Sequence, residues 1–368
     1  MIIGIDATRA NKAQKTGVEW YSYHLIRELA KLPTDHVFRL YFRNTPEPGL
    51  ANLGPNLEYR ILHWPFKYLW TQKRLSWEML MHPPDLLFIP AQIIPLLHPV
   101  NTITTIHDVA FKPYPESYSL RSRWYLDLAA KLARKLPMVL TVSEFSKKEI
   151  TKYYGIPPER ITVTYLGYEH ETRIPTMDAT IRFAIREPYL LYIGRLERKK
   201  NIRALIKSFD LIKKESWGQR QHLVLVGAKG YGWDEINKLI SASANKDDII
   251  IAGWVTEAEK HRLLDHATAL IMLSAYEGFG LPVLEAMDAR TPVITSDQAA
   301  LPEIGGTATL RVPRGDARAV RDALRDIIFN TELRNKLLDA GAARVKQFTW
   351  RATAEKTLAA FEELLKHS

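Results

Sequence analysis

At 368 residues the chain is too long for one ordinary core and suits about two domains, and its 46% apolar and 25% charged content matches a soluble globular protein. It holds no cysteine, which excludes disulfides, thiolate metal sites and a cysteine nucleophile, and no apolar run of ~18 residues, which excludes a spanning helix. The net charge of +10 divides evenly, 22 Lys+Arg against 17 Asp+Glu in residues 1–180 and 29 against 24 beyond, so no basic tail carries it and an anionic partner is favoured only weakly.

The opening run Met1-Ile2-Ile3-Gly4-Ile5-Asp6 is too short and too quickly polar for a signal peptide, so a cytoplasmic location is expected. Short β-branched runs then alternate with amphipathic segments, the pattern of a parallel α/β sheet. Strands are predicted at 2–5, 37–42, 86–89, 102–106 and 138–142, with one helix at 18–31 and another, capped by Ser143, through Tyr154. Residues 168–187 are polar, contain Pro175 and show no sustained period, which marks a linker. The same pattern restarts with strands at 189–193, 222–226, 249–252, 269–273 and 292–295 and helices at 201–214, 317–329 and 331–345. A last helix at 350–366 follows a break at 347–349. The expected organisation is a first domain at 1–171, a second at 187–348, and a terminal helix at 349–368 that is a candidate to cross back to the first. Two such units are expected to face each other across a deep cleft, with ligands beyond the carboxyl ends of their strands.

The strongest motif runs from Ser274 to Met287. Glu277-Gly278-Phe279-Gly280-Leu281-Pro282 follows a strand and opens a helix, so two glycines turn the chain and the free amides of a helix start face an anion. Glu285 is expected in the first helical turn, where it either meets the far end of a ligand or merely complements the dipole. Directly after the 189–193 strand come Gly194-Arg195 and Lys200-Asn201, two cations able to neutralise a diphosphate; Arg198 and Lys199 between them read as solvated surplus charge. Thr16-Gly17-Val18 follows the first strand, and either lets backbone approach a phosphate or is an ordinary loop. His107-Asp108 ends another strand. There a neutral imidazole donating to a sugar hydroxyl, with its carbonyl facing a developing positive charge, is weighed against a capping Asp beside a buried His.

These residues are similar to the large retaining glycosyltransferase family 4, with an α/β GT-B fold of two Rossmann-like domains. Glu277 to Glu285 resembles the family's pair of acids with seven residues between them, Gly194-Arg195 with Lys200-Asn201 its G-R-x(4)-K-N element, and Pro292-Val293-Ile294 with Leu301-Pro302-Glu303 its downstream segment. Thr141 to Ser146 resembles the end of its first domain, whereas Gly305-Gly306-Thr307-Ala308 departs from the usual Gly-Asp-Ala-Ala. The resemblance implies that Arg195 and Lys200 hold the diphosphate and stabilise the leaving nucleotide, and that Glu277 contacts donor-sugar hydroxyls. It places Gly194, Gly278 and the Phe279, Gly280 and Leu281 amides beside the sugar and phosphates, Glu285 on the ribose, and Val255, after Gly253-Trp254, at the base. Gly17 is implied at the phosphates and His107 at the reacting sugar. No Asp-x-Asp is present, so no metal and no cofactor are expected, the nucleotide-sugar being the donor substrate. The start Gly4-Ile5-Asp6-Ala7 with Thr16-Gly17-Val18-Glu19 resembles bacterial polysaccharide mannosyltransferases, which suggests GDP-mannose and a glycan or lipid-linked glycan acceptor.

His63 to Trp70 with Lys73 and Arg74, and the basic stretch 112–135, mix aromatics with cations. They read either as a peripheral contact with an anionic membrane at its inner face or as packed loop and helix. A sugar-nucleotide 2-epimerase, or a glycan phosphorylase with a pyridoxal-phosphate lysine, shares this architecture. A nucleic-acid-binding protein is disfavoured by the even charge split and the lack of a binding motif, so no nucleic-acid partner is expected.

Overall fold

A computed structural model describes residues 1–66, 68–169 and 182–366. The chain divides into two compact units: Met1–Lys112, Ser119–Gly167 and Phe348–Ser368 form the first, Pro113–Tyr118 and Tyr168–Gln347 the second. Much of the expected linker, 170–181 with Pro175, lies outside the described residues.

In the first unit seven parallel strands are ordered β3-β2-β1-β4-β5-β6-β7: β1 Ile2–Asp6, β2 Val37–Phe42, β3 Leu57–Ile61, β4 Leu86–Ile89, β5 Thr102–Ile106, β6 Met138–Thr141 and β7 Ile161–Val163. β1 lies between two neighbours, with Ile3 opposite both Phe38 and Leu86. β4, β5 and β6 are buried along their whole length, as their continuous apolar runs require in a sheet covered on both faces. The last helix, Trp350–Lys366, packs in this unit: Trp350 stacks on His24 at 4.9 Å and Phe361 meets Phe88 at 5.0 Å.

The second unit repeats the plan with six parallel strands ordered β10-β9-β8-β11-β12-β13: β8 Tyr189–Ile193, β9 His222–Val226, β10 Ile249–Gly253, β11 Ala269–Met272, β12 Val293–Ser296 and β13 Leu310–Val312. Its core gathers Leu190, Phe209, Leu225 and Ile271, each contributing roughly 1.5–3 kcal/mol by burial. Strand order reverses between β1 and β4 in one sheet and between β8 and β11 in the other. Each reversal sends its two connections to opposite faces of the sheet and leaves a crevice at the strands' carboxyl ends.

The structure adds three strands to the sequence reading, β3, β7 and β13, all at sheet edges. Their half-exposed residues lack the continuous apolar runs by which the inner strands are recognised. It also adds the helices Trp233–Ala242 and Glu257–His266. Pro113–Tyr118 departs from the expected uninterrupted first domain. Tyr114 packs edge-on against Tyr276 at 5.9 Å and accepts a hydrogen bond from Arg314 at 3.1 Å, which ties the segment to the second unit.

Candidate active site

In the second unit, the loops after β8 and β11 meet at the switch point. Gly194 ends β8, the turn Arg198–Lys200 follows, and Asn201 in the left-handed region opens the helix Ile202–Ile212. Lys200 Nζ lies 2.5 Å from Glu277 Oε2, with both side chains largely buried. Ser274 Oγ donates to the other Glu277 oxygen at 2.9 Å, and Ser296 Oγ donates to the Ser274 carbonyl at 2.6 Å. The Ala275 amide donates to the Lys199 carbonyl at 2.8 Å, pinning the two loops together. Beneath them Tyr192 is fully buried, and burial, then Glu277 and Glu197, push its phenol far above its ordinary range, so it is a neutral donor to the Arg195 carbonyl at 3.1 Å. Arg195 itself is exposed, with no carboxylate partner among the described residues.

Two glycines make this crevice. Gly227, after β9, has φ 136°, and a Cβ there would collide with the Gly194 carbonyl. Gly280 has φ 106°, and a Cβ would meet Leu301 at 2.9 Å; it caps the helix Leu281–Asp288, with Pro282 in the first turn. Gly278 and Leu281 are half-buried and Phe279 is buried, so this helix start is held against its own core.

Glu285 is the fifth residue of that helix, one turn further in than expected. The dipole effect falls off within the first turn, so complementing it no longer accounts for this acid. Its Oε1 accepts from Lys260 Nζ at 2.7 Å, while Oε2 is buried with no hydrogen-bond partner. Burial works to lower the Lys260 pKa, but Glu285 and Glu257 more than offset it and hold the ammonium above its ordinary range. Val255 is buried beside exposed Trp254, after Gly253, whose carbonyl accepts from the Gly227 amide at 2.7 Å.

In the first unit, Thr16 and Glu19 form a capping box at the start of the helix Gly17–Leu29, and space is open where a Gly17 side chain would be. Glu19 also receives Arg9 at 3.1 Å and Lys12 at 2.9 Å. Burial would raise its carboxyl, but Thr16, Lys12 and Arg9 hold it down at about 2. Tyr21, on the same helix, packs edge-on against His107 at 4.7 Å. Burial lowers the His107 pKa, so the ring is neutral and has one N–H; Nε2 lies 2.9 Å from the Pro90 carbonyl, which takes it. That N–H is therefore not available to donate to a sugar hydroxyl, and Nδ1 is left as the ring's acceptor. The His107 carbonyl already accepts from Ser146 Oγ at 3.1 Å, and Asp108 accepts the Ala110 amide at 2.9 Å in a local turn.

The structure thus brings Gly194, Arg195, Lys200, Val255, Glu277 to Leu281 and Glu285 to the carboxyl ends of β8, β10 and β11, and places Gly17 and His107 within the other unit. Arg198 is exposed and pairs with Glu235 at 2.8 Å, as expected of surplus charge. Lys199 is not solvated: it is buried, donates to the Tyr118 hydroxyl at 2.6 Å and lies 3.5 Å from Glu197. Lys260 and Arg9 are absent from the sequence reading. Lys260 had a signal, because Thr256-Glu257-Ala258-Glu259 is a capping box that starts its helix.

Two family models match almost end to end: Glycosyltransferase Family 4 over residues 15–172 and Glycosyl transferases group 1 over residues 175–344. The chain is 27% identical to the O-antigen chain mannosyltransferase B of Escherichia coli, across 98% of this chain and 99% of that protein. It is 26% identical to the O-antigen chain mannosyltransferase RfbU of Salmonella typhimurium, across 85% and 88%. Among solved structures, Anabaena HepE in complex with UDP and glucose shares the fold with a TM-score of 0.72 and 16% identity, covering 99% of this chain and 100% of that one.

Proposed function

We propose, for a chain that belongs to glycosyltransferase family 4 and is therefore a glycosyltransferase, that it moves a hexose from a nucleoside-diphosphate sugar bound at the β8–β11 switch point. Our reading of the donor is GDP-mannose, and of the acceptor a glycan or lipid-linked glycan. The names of the two O-antigen mannosyltransferases support the mannose, and the UDP bound to HepE supports a nucleoside diphosphate. Membership of this family sets aside the epimerase, phosphorylase and nucleic-acid readings.

The observation that carries the reading is the paired arrangement of acids and lysines, Glu277 on Lys200 and Glu285 on Lys260 with one Glu285 oxygen unspent. Breaking the bond between the sugar's anomeric carbon and the diphosphate leaves negative charge on the phosphate oxygens and positive charge on the ring. In our reading Lys200 and Arg195 take the leaving charge with the amides of Phe279 to Leu281, about 10²–10³ in rate per well-placed donor. Glu277 then orients sugar hydroxyls, and the free oxygen of Glu285 accepts from a ribose hydroxyl. Gly194 and Gly278 line the same turn, and Val255 borders the base. To Gly17 and His107 of the first unit the family resemblance assigns the phosphates and the reacting sugar.

The acceptor oxygen attacks on the face the diphosphate leaves, and the departing phosphate oxygen takes its proton. Configuration is retained, and neither a metal nor a protein nucleophile takes part. Thermal-shift titration with GDP, UDP and ADP tests the donor. The true nucleotide at about 100 times its dissociation constant adds about 2.7 kcal/mol of stability. Stabilisation by UDP or ADP without GDP would overturn the GDP-mannose reading while leaving the diphosphate site standing.

A further inference from the structure

Two helices of the first unit carry their apolar residues outward. Leu120–Ala133 buries only Ala129, Ala130 and Ala133, while Leu120 (79% exposed), Trp124 (68%) and Leu128 form a stripe at i, i+4 and i+8 on the solvent side. Ser76–Met81 buries Ser76, Glu78 and Met79 and exposes Trp77 (57%), Leu80 and Met81. A water-facing helix has the opposite pattern, so neither is explained by packing within the unit.

The two helices belong to one region. Ser76 Oγ accepts the Leu97 amide at 3.4 Å, which sets exposed Leu96, Leu97 and Val100 beside the second helix. Gln92 donates to the Leu126 carbonyl at 3.4 Å, and the Arg121 guanidinium lies 5.8 Å from the Tyr68 ring, which joins the first helix to that loop and to exposed Phe66, Tyr68 and Leu69. Thirteen of the nineteen strongly exposed large apolar side chains among the described residues fall in these stretches. Scattered exposed apolar residues need no explanation, but this concentration does.

Charge identifies the occupant. Residues 66–81, 92–100 and 120–135 hold eight Lys+Arg and two acids, an excess of six that the even split between the halves of the chain conceals. Both acids are already spent, Glu78 on Arg74 at 3.0 Å and Asp127 on Lys112 at 2.5 Å and Lys131 at 2.9 Å. A second copy would bring the same positive excess against itself. Tryptophan and tyrosine amid long cations suit the boundary between lipid chains and anionic headgroups.

We propose that this face of the first unit docks on an anionic lipid bilayer, Leu120, Trp124, Trp77 and Leu80 entering the headgroup boundary and Lys73, Arg121 and Arg123 meeting lipid phosphates. Among the described residues no helix is long and apolar enough to cross a membrane, so the contact is peripheral. It is independent of the donor reading, since it uses none of the residues assigned to the nucleotide-sugar.

Co-sedimentation of the full chain with phosphatidylcholine vesicles, with and without about a third phosphatidylglycerol, tests it at low and high salt. Binding is expected only to the anionic vesicles and to fall with salt. Lys73→Gln, Arg121→Gln and Arg123→Gln are each expected to weaken it about fivefold. The double variant Trp77→Asp/Trp124→Asp is expected to abolish it with circular dichroism and melting temperature unchanged. Equal binding to both vesicle types, or none to either, overturns the proposal. So does concentration-dependent self-association in sedimentation velocity that the double variant removes, which would give the face to a second copy.

Discussion

Glu285 has one oxygen on Lys260 and the other buried without a partner, an arrangement that is unfavourable in the isolated unit and favourable once a hydroxyl donates to it. Lys260 never touches the reacting bond in our reading; it positions Glu285. Lys260→Met is therefore expected to raise KM for the donor about tenfold with kcat little changed, because it removes binding common to ground and transition states. A merely structural lysine would lower the melting temperature and leave KM where it was. Lys200→Ala should behave in the opposite way, since its charge is needed most when the diphosphate leaves. Here kcat is expected to fall about 10²–10³-fold while the protein stays folded, and unchanged single-turnover rates would sink the assignment. The place of Lys200 was legible in the sequence, six residues after Gly194 on a buried strand's loop. That of Lys260 was not, because its partner Glu285 stands 25 positions away and only the packing of two helices joins them.

At the scale of elements, the segments after β8, β10 and β11 each pass from a strand's carboxyl end through glycine into a helix start. The Gly17–Leu29 start is also an electrostatic device, with Glu19 closing the capping box while Arg9 and Lys12 close on Glu19. The sign of its pH effect follows from a folded carboxyl at about 2 against an ordinary value of 4.5. Its stabilisation is complete above the unfolded value and is lost as pH falls through the folded one. On the order of 2 kcal/mol is expected to disappear between those limits, after allowing for solvent screening of the half-exposed Arg9 and Lys12. Chemical denaturation of wild type and Glu19→Gln across that window checks it; the variant should be less stable at neutral pH and show a flatter acid limb. Inner strands such as β5 and β11 were readable as unbroken apolar runs because both their faces are covered. The edge strands β3 and β13 were not, since a residue half in water is under no such constraint.

For the whole molecule, two buried ion pairs and one outward apolar, basic surface lie in different units. The second unit holds the Lys200–Glu277 and Lys260–Glu285 pairs, and the first holds the outward apolar helices with the local positive excess. With Lys200 and Arg195 assigned to the diphosphate, turnover is expected to be unchanged by excess chelator, and complete, reversible loss on chelation, restored by a divalent cation, would contradict the mechanism. The sequence by itself determined the two α/β halves and singled out Arg195, Lys200, Glu277 and Glu285 at strand ends of the second half, because these follow from local periodicity and from short motifs whose spacing is set along the chain. Only the tertiary structure decided which carboxylate meets which lysine, that the His107 N–H is spent on Pro90, that Lys199 is buried on Tyr118, and that Trp77 and Trp124 face outward on one surface. Those are distances between residues far apart in sequence, fixed by how strands and helices pack, and a one-dimensional pattern does not encode them.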